Sequence, residues 1–304
     1  MNLPVLALNL ALAIAIAPLL DGLRRKITAR LQNRVGPPLT QSWHDIIKLL
    51  RKETVLPEGA GLMLRVLPAL MLMLSLAMFA MIATVTVQSP MDEGGIIFIE
   101  LAVLSAFMFA IAGGMSGNPY GVVGGSREAI LATLVEPSII VSLTALLLFK
   151  GSLTLDDASR SLAFGGTLVV AAVAYLLSLL VESGRVPFDV AEAESELTGG
   201  YLIEFSGPPL AMLKLGQFIR ATAMYSVPKL FLTALIPVGV TGDAFSIAVT
   251  ALYMVSILLC TLLVSMAESL NARYRLLEAS KFYAVVLIFS LLALVIAFYA
   301  PGWR

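Results

Sequence analysis

Residues 186–207 read VPFDVAEAESELTGGYLIEFSG and hold five carboxylates: Asp189, Glu192, Glu194, Glu196 and Glu204. No lysine or arginine lies among them, and Arg185 sits just ahead. If 189–197 is helical, Asp189, Glu192 and Glu196 fall at i, i+3 and i+7 and share one face, where like charges repel. Carboxylates crowded in this way release protons in coupled steps, some of them shifted toward neutral pH. A proton relay needs groups of that kind. The competing reading is a solvated acidic face. Against it stand the apolar flanks VPF and YLIEF, which turn the segment back into protein or membrane.

Further acids lie in apolar surroundings. Glu136 sits deep in an apolar run and precedes Pro137, which lacks an N–H and loosens a helix. Glu128 lies two turns earlier, offset by about 80° around a helix. Glu182 and Glu268 each close an apolar run, and Glu100 lies near the end of another. A carboxylate at membrane depth is costly and is usually paired, protonated or working. Interfacial anchoring accounts for Glu100 and for Lys214, whose long stem can snorkel. It does not account for Glu136. Lys214, Arg220 and Lys229 all fall within residues 211–237.

The elements that must position these groups are membrane helices. The 304 residues are 59% hydrophobic and 13% charged, against about 25% charged in soluble domains. Eight apolar runs emerge, at about 3–20, 66–87, 96–115, 128–149, 162–182, 211–237, 244–267 and 282–300. No basic residue precedes the first run and no small-residue cleavage site follows it, so it is expected to remain as a membrane helix. Unbroken runs exclude a β-barrel, whose strands alternate apolar and polar residues. The expectation is an all-α polytopic membrane protein forming a single domain over 1–304, with a basic loop at 21–65 and an acidic loop at 183–210.

Orientation follows from the basic residues. Fourteen of the twenty Lys and Arg fall in odd-numbered loops: nine in 21–65, then Arg127, Arg185, Arg273, Arg275 and Lys281. Only Lys150 and Arg160 fall in even loops. Lys and Arg collect on the cytoplasmic side, which puts both termini outside. The basic loop also contains SWHDIIKLLRKE (42–53), apolar at 43, 46, 47, 49 and 50. That is an amphipathic helical pattern with Ser42 as its cap. It would lie on the membrane surface, drawn by anionic lipid, or against a partner; both remain open at this point.

Several chemistries are excluded. One cysteine (Cys260) and one histidine (His44) supply neither a disulfide, an iron–sulfur ligand set nor a histidine metal site. No redox cofactor is therefore expected in this chain. The glycine-rich GGMSGNPYGVVGGS (113–126) lacks the Gly-Lys-Ser/Thr ending of a phosphate loop and follows an apolar run, not a strand. It reads as a flexible or close-packed turn. No nucleophile–base pair, nucleotide motif or nucleic-acid-binding surface is present.

Taken together, the motifs resemble a known family. NRVGPPLTQSWHDIIKLLRKE (33–53) is similar to the first cytoplasmic loop of NADH dehydrogenase subunit 1, the membrane subunit at the hinge of respiratory complex I. ESGRVPFDVAEAESELTGGYLIEFSG (182–207) is similar to that family's acidic loop, and eight spans with both ends outside match its topology. SREAILATLVEP (126–137) stands where complex I has a Gln-x-x-Ser-Tyr-Glu run. AESLNARYRLLEASKF (267–282) lacks the Arg-Tyr/Phe-Asp-Gln-Leu and Gly-Trp-Lys elements. Both departures resemble the membrane-bound group 4 [NiFe] hydrogenases, which include formate hydrogenlyase and hydrogenase-4.

The resemblance implies a non-catalytic subunit joining a soluble hydrogenase arm to antiporter-like, ion-translocating membrane subunits. The arm's large and small subunits and an iron–sulfur subunit would carry the [NiFe] centre and the clusters. It implies a proton path through Glu128, Glu136, Glu182, Asp189, Glu192, Glu194, Glu196 and Glu204. It also implies docking of the arm on loop one, through Arg24, Arg25, Arg34, Lys48 and Arg51. The cell inner membrane is the implied location. A quinone-site subunit of a complex I-type dehydrogenase, or a passive anchor, are the alternatives.

Overall fold

A computed structural model describes residues 3–55, 62–83, 94–115, 117–151, 155, 158, 165–192, 194–236 and 243–299. Among them the chain is helical, with no strand. The helices are α1 (Leu3–Leu31), α2 (Gln41–Leu50), α3 (Leu62–Ala83), α4 (Gly94–Gly114), α5 (Pro119–Lys150) and α6 (Gly166–Glu182). After the single turn α7 (Glu194–Leu197) come α8 (Gly207–Ser226), the short α9 (Lys229–Leu232), α10 (Asp243–Leu270) and α11 (Leu276–Tyr299).

Among the described residues, six helices are long and apolar enough to cross a membrane: α1, α3, α4, α5, α10 and α11. α6 is apolar but only 17 residues long, about 25 Å at 1.5 Å per residue. The run at 211–237 is not one helix. α8 stops at Ser226, and α9 with a 3-10 turn at Thr233–Leu235 continues it. The cause is Pro228, which has no N–H to offer the carbonyl of Met224. Val227 N, at 3.2 Å, and the Tyr175 hydroxyl, at 3.0 Å, donate to that oxygen instead.

Two other expectations change. Arg127 lies inside α5, which begins at Pro119 with Asn118 accepting a hydrogen bond from Tyr120 N, so loop three is short. Pro137 lies within α5, which runs for 32 residues. Ser42 does not cap α2: Thr40 holds that position, and the Ser42 hydroxyl donates to Asp21 at 2.7 Å. α2 is otherwise the expected amphipathic helix, with Ile46 buried and Ile47, Lys48 and Leu50 exposed. The Trp43 indole donates to Ala15 O of α1 at 3.1 Å.

The bundle places the acidic loop over a floor of helices. α5 packs against α4, α6 and α11, and α8 packs against α3 and α1. The glycine-rich stretch is the crossing of α4 and α5. A Cβ on Gly125 would lie 2.6 Å from Gly113 Cα and 2.9 Å from Ala110 O, and one on Gly124 would lie 2.7 Å from Gly200 Cα. These backbones touch because neither side carries a side chain. The close-packed alternative is the one observed, and it seats the acidic loop directly on α5.

A side chain at that crossing must push two backbones apart. Gly125→Val is expected to cost about 1–3 kcal/mol, as overpacking does. It should lower the thermal unfolding midpoint in detergent. Gly114→Ala, where nothing lies within 4 Å of the added Cβ, should leave the midpoint unchanged.

Candidate functional site

The site is built around one buried arginine. Arg220 of α8 lies 3.2 Å from Glu136 Oε1 of α5 and is also ion-paired with Glu182, the last residue of α6. Its Nε donates to Ser105 Oγ at 2.7 Å and its Nη2 to Ala102 O at 3.3 Å, both on α4. The guanidinium also stands 5.9 Å from the Phe109 ring centroid. One side chain thus joins α4, α5, α6 and α8. The second oxygen of Glu136, Oε2, is buried and has no hydrogen-bond partner among the described residues.

Beside this group lies a cavity with about 100 Å³ of room for water, enough for a few molecules. Glu128, Glu182, Asp189, Glu192, Gln217 and Arg220 line it, and Glu136 lies behind Arg220. Gln217 and Arg220 are three residues apart and so share a face of α8. Gln217 donates to Glu192 Oε1 at 2.6 Å and to the Tyr201 hydroxyl at 2.6 Å, while that hydroxyl donates to Glu192 at 2.5 Å. Burial, with Glu192 beside it, holds the Tyr201 phenol well above its ordinary value, so it remains a donor.

The acidic loop is not one helix face. Only Glu194–Leu197 is helical, and the acids part company. Asp189 pairs with Arg273 at 2.7 Å, and Glu196 pairs with Arg127 at 2.8 Å. The bond to Arg127 lowers the Glu196 carboxyl below its ordinary value, although the group is exposed. Glu204 is partly exposed and does not line the cavity. Glu194's side chain lies outside the described residues. The structure therefore brings together Glu128, Glu136, Glu182, Asp189 and Glu192, and sends Glu196 and Glu204 elsewhere. The repulsion that a shared face would cause is relieved by basic residues from distant segments.

A second charged cluster adjoins the first. Asp21 of α1 accepts from Arg24 at 2.9 Å, from Arg25 at 2.8 Å and from Ser42, with Arg185 at 3.5 Å. Arg24 is also paired with Glu268, to which Thr28 donates at 3.2 Å. Arg24 is buried, so it drops out of the expected docking face. Its charge is spent on Asp21 and Glu268. Arg34, Lys48 and Arg51 are exposed and Arg25 is partly so. Asp21, Gln217, Tyr201 and the counter-ion role of Arg220 were not read from the sequence. Two spacings carried the signal: Asp21 before Arg24 and Arg25, and Gln217 before Arg220.

The loop is held by more than charge. Phe188 packs on the rings of Tyr274, Phe282 and Tyr283, with centroids 5.5, 5.2 and 5.8 Å away. Tyr274 N donates to Pro187 O at 2.9 Å. Partial burial, with the charge of Glu192 nearby, pushes the Asp189 carboxyl up to about 6, against the pull of Arg273. The native chain thus keeps this proton to higher pH than an unfolded chain, whose ordinary value is 3.8. The Asp189 contribution to stability accordingly declines as pH rises from 3.8 to about 6 and is level above that. Arg273→Met removes the cation that opposes burial and should move the midpoint above 6. The check is the protonated-carboxyl band in infrared pH titration, identified by its loss in Asp189→Asn.

The chain as a whole is similar to known proteins. A family model described as NADH dehydrogenase matches residues 3–299. Hydrogenase-4 component C of Escherichia coli (strain K12) is 39% identical over 300 residues, covering 95% of this chain and 93% of the relative. Formate hydrogenlyase subunit 4 of the same strain is 34% identical, covering 86% and 88%. An NADH-quinone oxidoreductase subunit from Rhodospirillum centenum is 34% identical, covering 77% and 73%. Among solved structures, a chain of an archaeal respiratory membrane complex, the membrane-bound sulfane sulfur reductase, superposes with a TM-score of 0.82. It covers 96% of this chain and 98% of its own, and at 22% identity that likeness is one of fold.

Proposed function

The chain belongs to the NADH dehydrogenase subunit 1 family, and from that premise we propose that it is the proton-relaying membrane subunit of a group 4 [NiFe] hydrogenase complex of the formate hydrogenlyase type. In that role it joins a soluble arm of large, small and iron–sulfur subunits to antiporter-like membrane subunits. The arm would carry the [NiFe] centre and the clusters, and this chain no cofactor. The distribution of Lys and Arg supports a cell inner membrane location with both termini outside.

One observation carries the relay: Arg220 is shared by Glu136 and Glu182 at the end of a cavity lined by Glu128, Asp189 and Glu192. A guanidinium does not give up its proton in a protein. One such cation balances one carboxylate, so moving a proton between Glu136 and Glu182 changes which acid Arg220 serves without changing the net charge. That exchange costs little in a medium where a bare charge costs much. Glu192, fixed by Tyr201 and Gln217, would load the cavity from the acidic loop. Glu128, which lines the same cavity, would be a further carrier.

The hydrogenase branch is favoured over a quinone-site dehydrogenase subunit by the two departures at 126–137 and 267–282. The greater likeness to hydrogenase-4 component C agrees. The 34% identity to an NADH-quinone oxidoreductase subunit supports the second reading, and a nickel-binding large subunit copurifying with the chain would decide between them.

Glu136→Gln keeps size and polarity and leaves Arg220 its pair with Glu182. Electron transfer to an artificial acceptor should continue, while ion movement coupled to turnover falls about a hundredfold, the low end for a positioned proton-transfer group. The measurement is ion uptake in sealed vesicles, normalised to assembled complex, since breaking a buried pair can cost about 3–5 kcal/mol by itself. Unchanged coupling would leave the passive anchor ahead.

Docking is tested on the cations that remain at least partly exposed. Arg25, Arg34, Lys48 and Arg51 changed together to Gln should release the soluble arm at moderate salt while the chain remains in the membrane. Retention of the arm at high salt would make loop one a lipid contact.

A further inference from the structure

One buried hydroxyl near the acid group is not used by the relay. Tyr283 of α11 is 2% exposed, and its hydroxyl has no hydrogen-bond partner among the described residues. A buried phenol usually finds one, because an unmet polar group costs stability. The register of α11 places the ring. Ala279, Tyr283, Val286 and Ser290 are buried at helical spacing, and the helix packs against α5 and α6. Phe188, which lines the acid cavity, lies against the ring with 5.8 Å between centroids.

Glu128 of α5 and Glu182 of α6 are the acids whose charge reaches the Tyr283 hydroxyl. All three residues lie in the part of their helices nearest the acidic loop. Gly124 of α5 abuts Gly200, α6 runs into the loop, and Tyr274, just ahead of α11, donates to Pro187 O. Glu182 already has Arg220. Glu128 lines the cavity, yet among the described residues it joins no ion pair and accepts no hydrogen bond. The charged groups that face it are Glu182, Arg220 of α8, and Asp189 and Glu192 of the acidic loop. The cation among them is committed to Glu136 and Glu182. Glu128 thus lacks a donor for its ionised form, and Tyr283 lacks an acceptor.

We propose that Tyr283 is a positioning residue for Glu128, its hydroxyl donating to the Glu128 carboxylate so that this acid can ionise without a cation of its own. The phenol keeps its proton throughout, and only Glu128 gains and loses one. A hydrogen bond to a charged group is stronger than one to a neutral group, so the contact forms as Glu128 ionises. A turn of the Glu128 side chain, which borders the cavity and is held by no other bond, makes it. The use of ionised Glu128 as a carrier rests on the proposed relay, whereas the pairing does not. The alternative is a core ring with an idle hydroxyl.

Tyr283→Phe removes the hydroxyl and keeps the ring against Phe188. The protonated-carboxyl band of Glu128 is followed in infrared pH titration of the full chain and identified by its loss in Glu128→Gln. In Tyr283→Phe it should persist to about one pH unit higher. That is the roughly tenfold gain in proton affinity expected when a carboxylate loses one hydrogen bond. Ser290→Ala removes another hydroxyl from the same face, one that donates to Leu287 O of its own helix at 2.8 Å. It should leave the band in place. Coupled ion uptake by the assembled complex in sealed vesicles should fall about tenfold in Tyr283→Phe, in step with the band.

A Glu128 band unmoved by Tyr283→Phe overturns the pairing, as does an equal move in Ser290→Ala. A moved band with uptake at the parent rate, while Glu136→Gln still lowers it, overturns the part of Tyr283 in the relay. If neither variant lowers uptake, the relay itself fails and a moved band still assigns Tyr283 to Glu128. Adding Tyr283→Phe to Glu128→Gln should lower uptake no further, since the two residues act as one. A further loss in that double variant would make Tyr283 a packing residue and overturn the pairing.

Discussion

The interior of this protein depends on the charge of Arg220. A cation and two carboxylates lie among membrane helices where each alone would be costly. They are tolerated because one guanidinium meets Glu136, Glu182, a serine hydroxyl and a carbonyl together. The planar fork of donors is what allows this, and a lysine at the same place would offer a single point of charge. α4, α5, α6 and α8 are thereby held in one arrangement, and the cavity beside Arg220 takes its shape from that arrangement. The acid group is thus a structural tie and, in the proposed relay, the place where charge would be exchanged.

Around this tie the two charged loops form one body. Val55 N donates to Ser206 Oγ at 2.8 Å, and that hydroxyl reaches Val55 O at 2.8 Å, so the end of the basic loop is bonded to the end of the acidic one. At its other end, Arg185 approaches Asp21, on which Arg24, Arg25 and Ser42 converge. A force applied to the basic loop by a docked partner would reach the acidic loop through these bonds. The acidic loop in turn rests on the glycine crossing of α4 and α5 and is wedged by Phe188 among the rings of α11 and Tyr274. Close backbone contact, aromatic packing and their hydrogen bonds leave Asp189 and Glu192 little freedom. That suits the proposed relay, in which these groups would pass protons over short distances.

Much of the fold was legible in the chain. Long apolar runs can only be membrane helices, because a bilayer leaves the backbone no other partner for its hydrogen bonds. Amphipathic spacing announced α2, and the depth of Glu136 marked it as a working or paired acid, since burial of a charge is too costly to be incidental. Other features were hidden. The break in α8 was masked by a run apolar enough to read as one span. The face shared by Asp189, Glu192 and Glu196 existed only on the assumption of a helix that the loop does not form. Arg24 looked like a surface cation, but it is buried against Glu268, 244 residues away.

The sequence by itself determined that Glu136 and Arg220 lie within the membrane helices, because apolar runs and the residues that interrupt them are local. Tertiary structure alone decided which charge answers which. Arg220 and Glu136 are 84 residues apart, as are Arg273 and Asp189. Nothing in either neighbourhood names the other. Spacing along one helix records that a carboxylate needs a partner, whereas the partner is chosen by how separate helices pack, and that choice is made only in three dimensions.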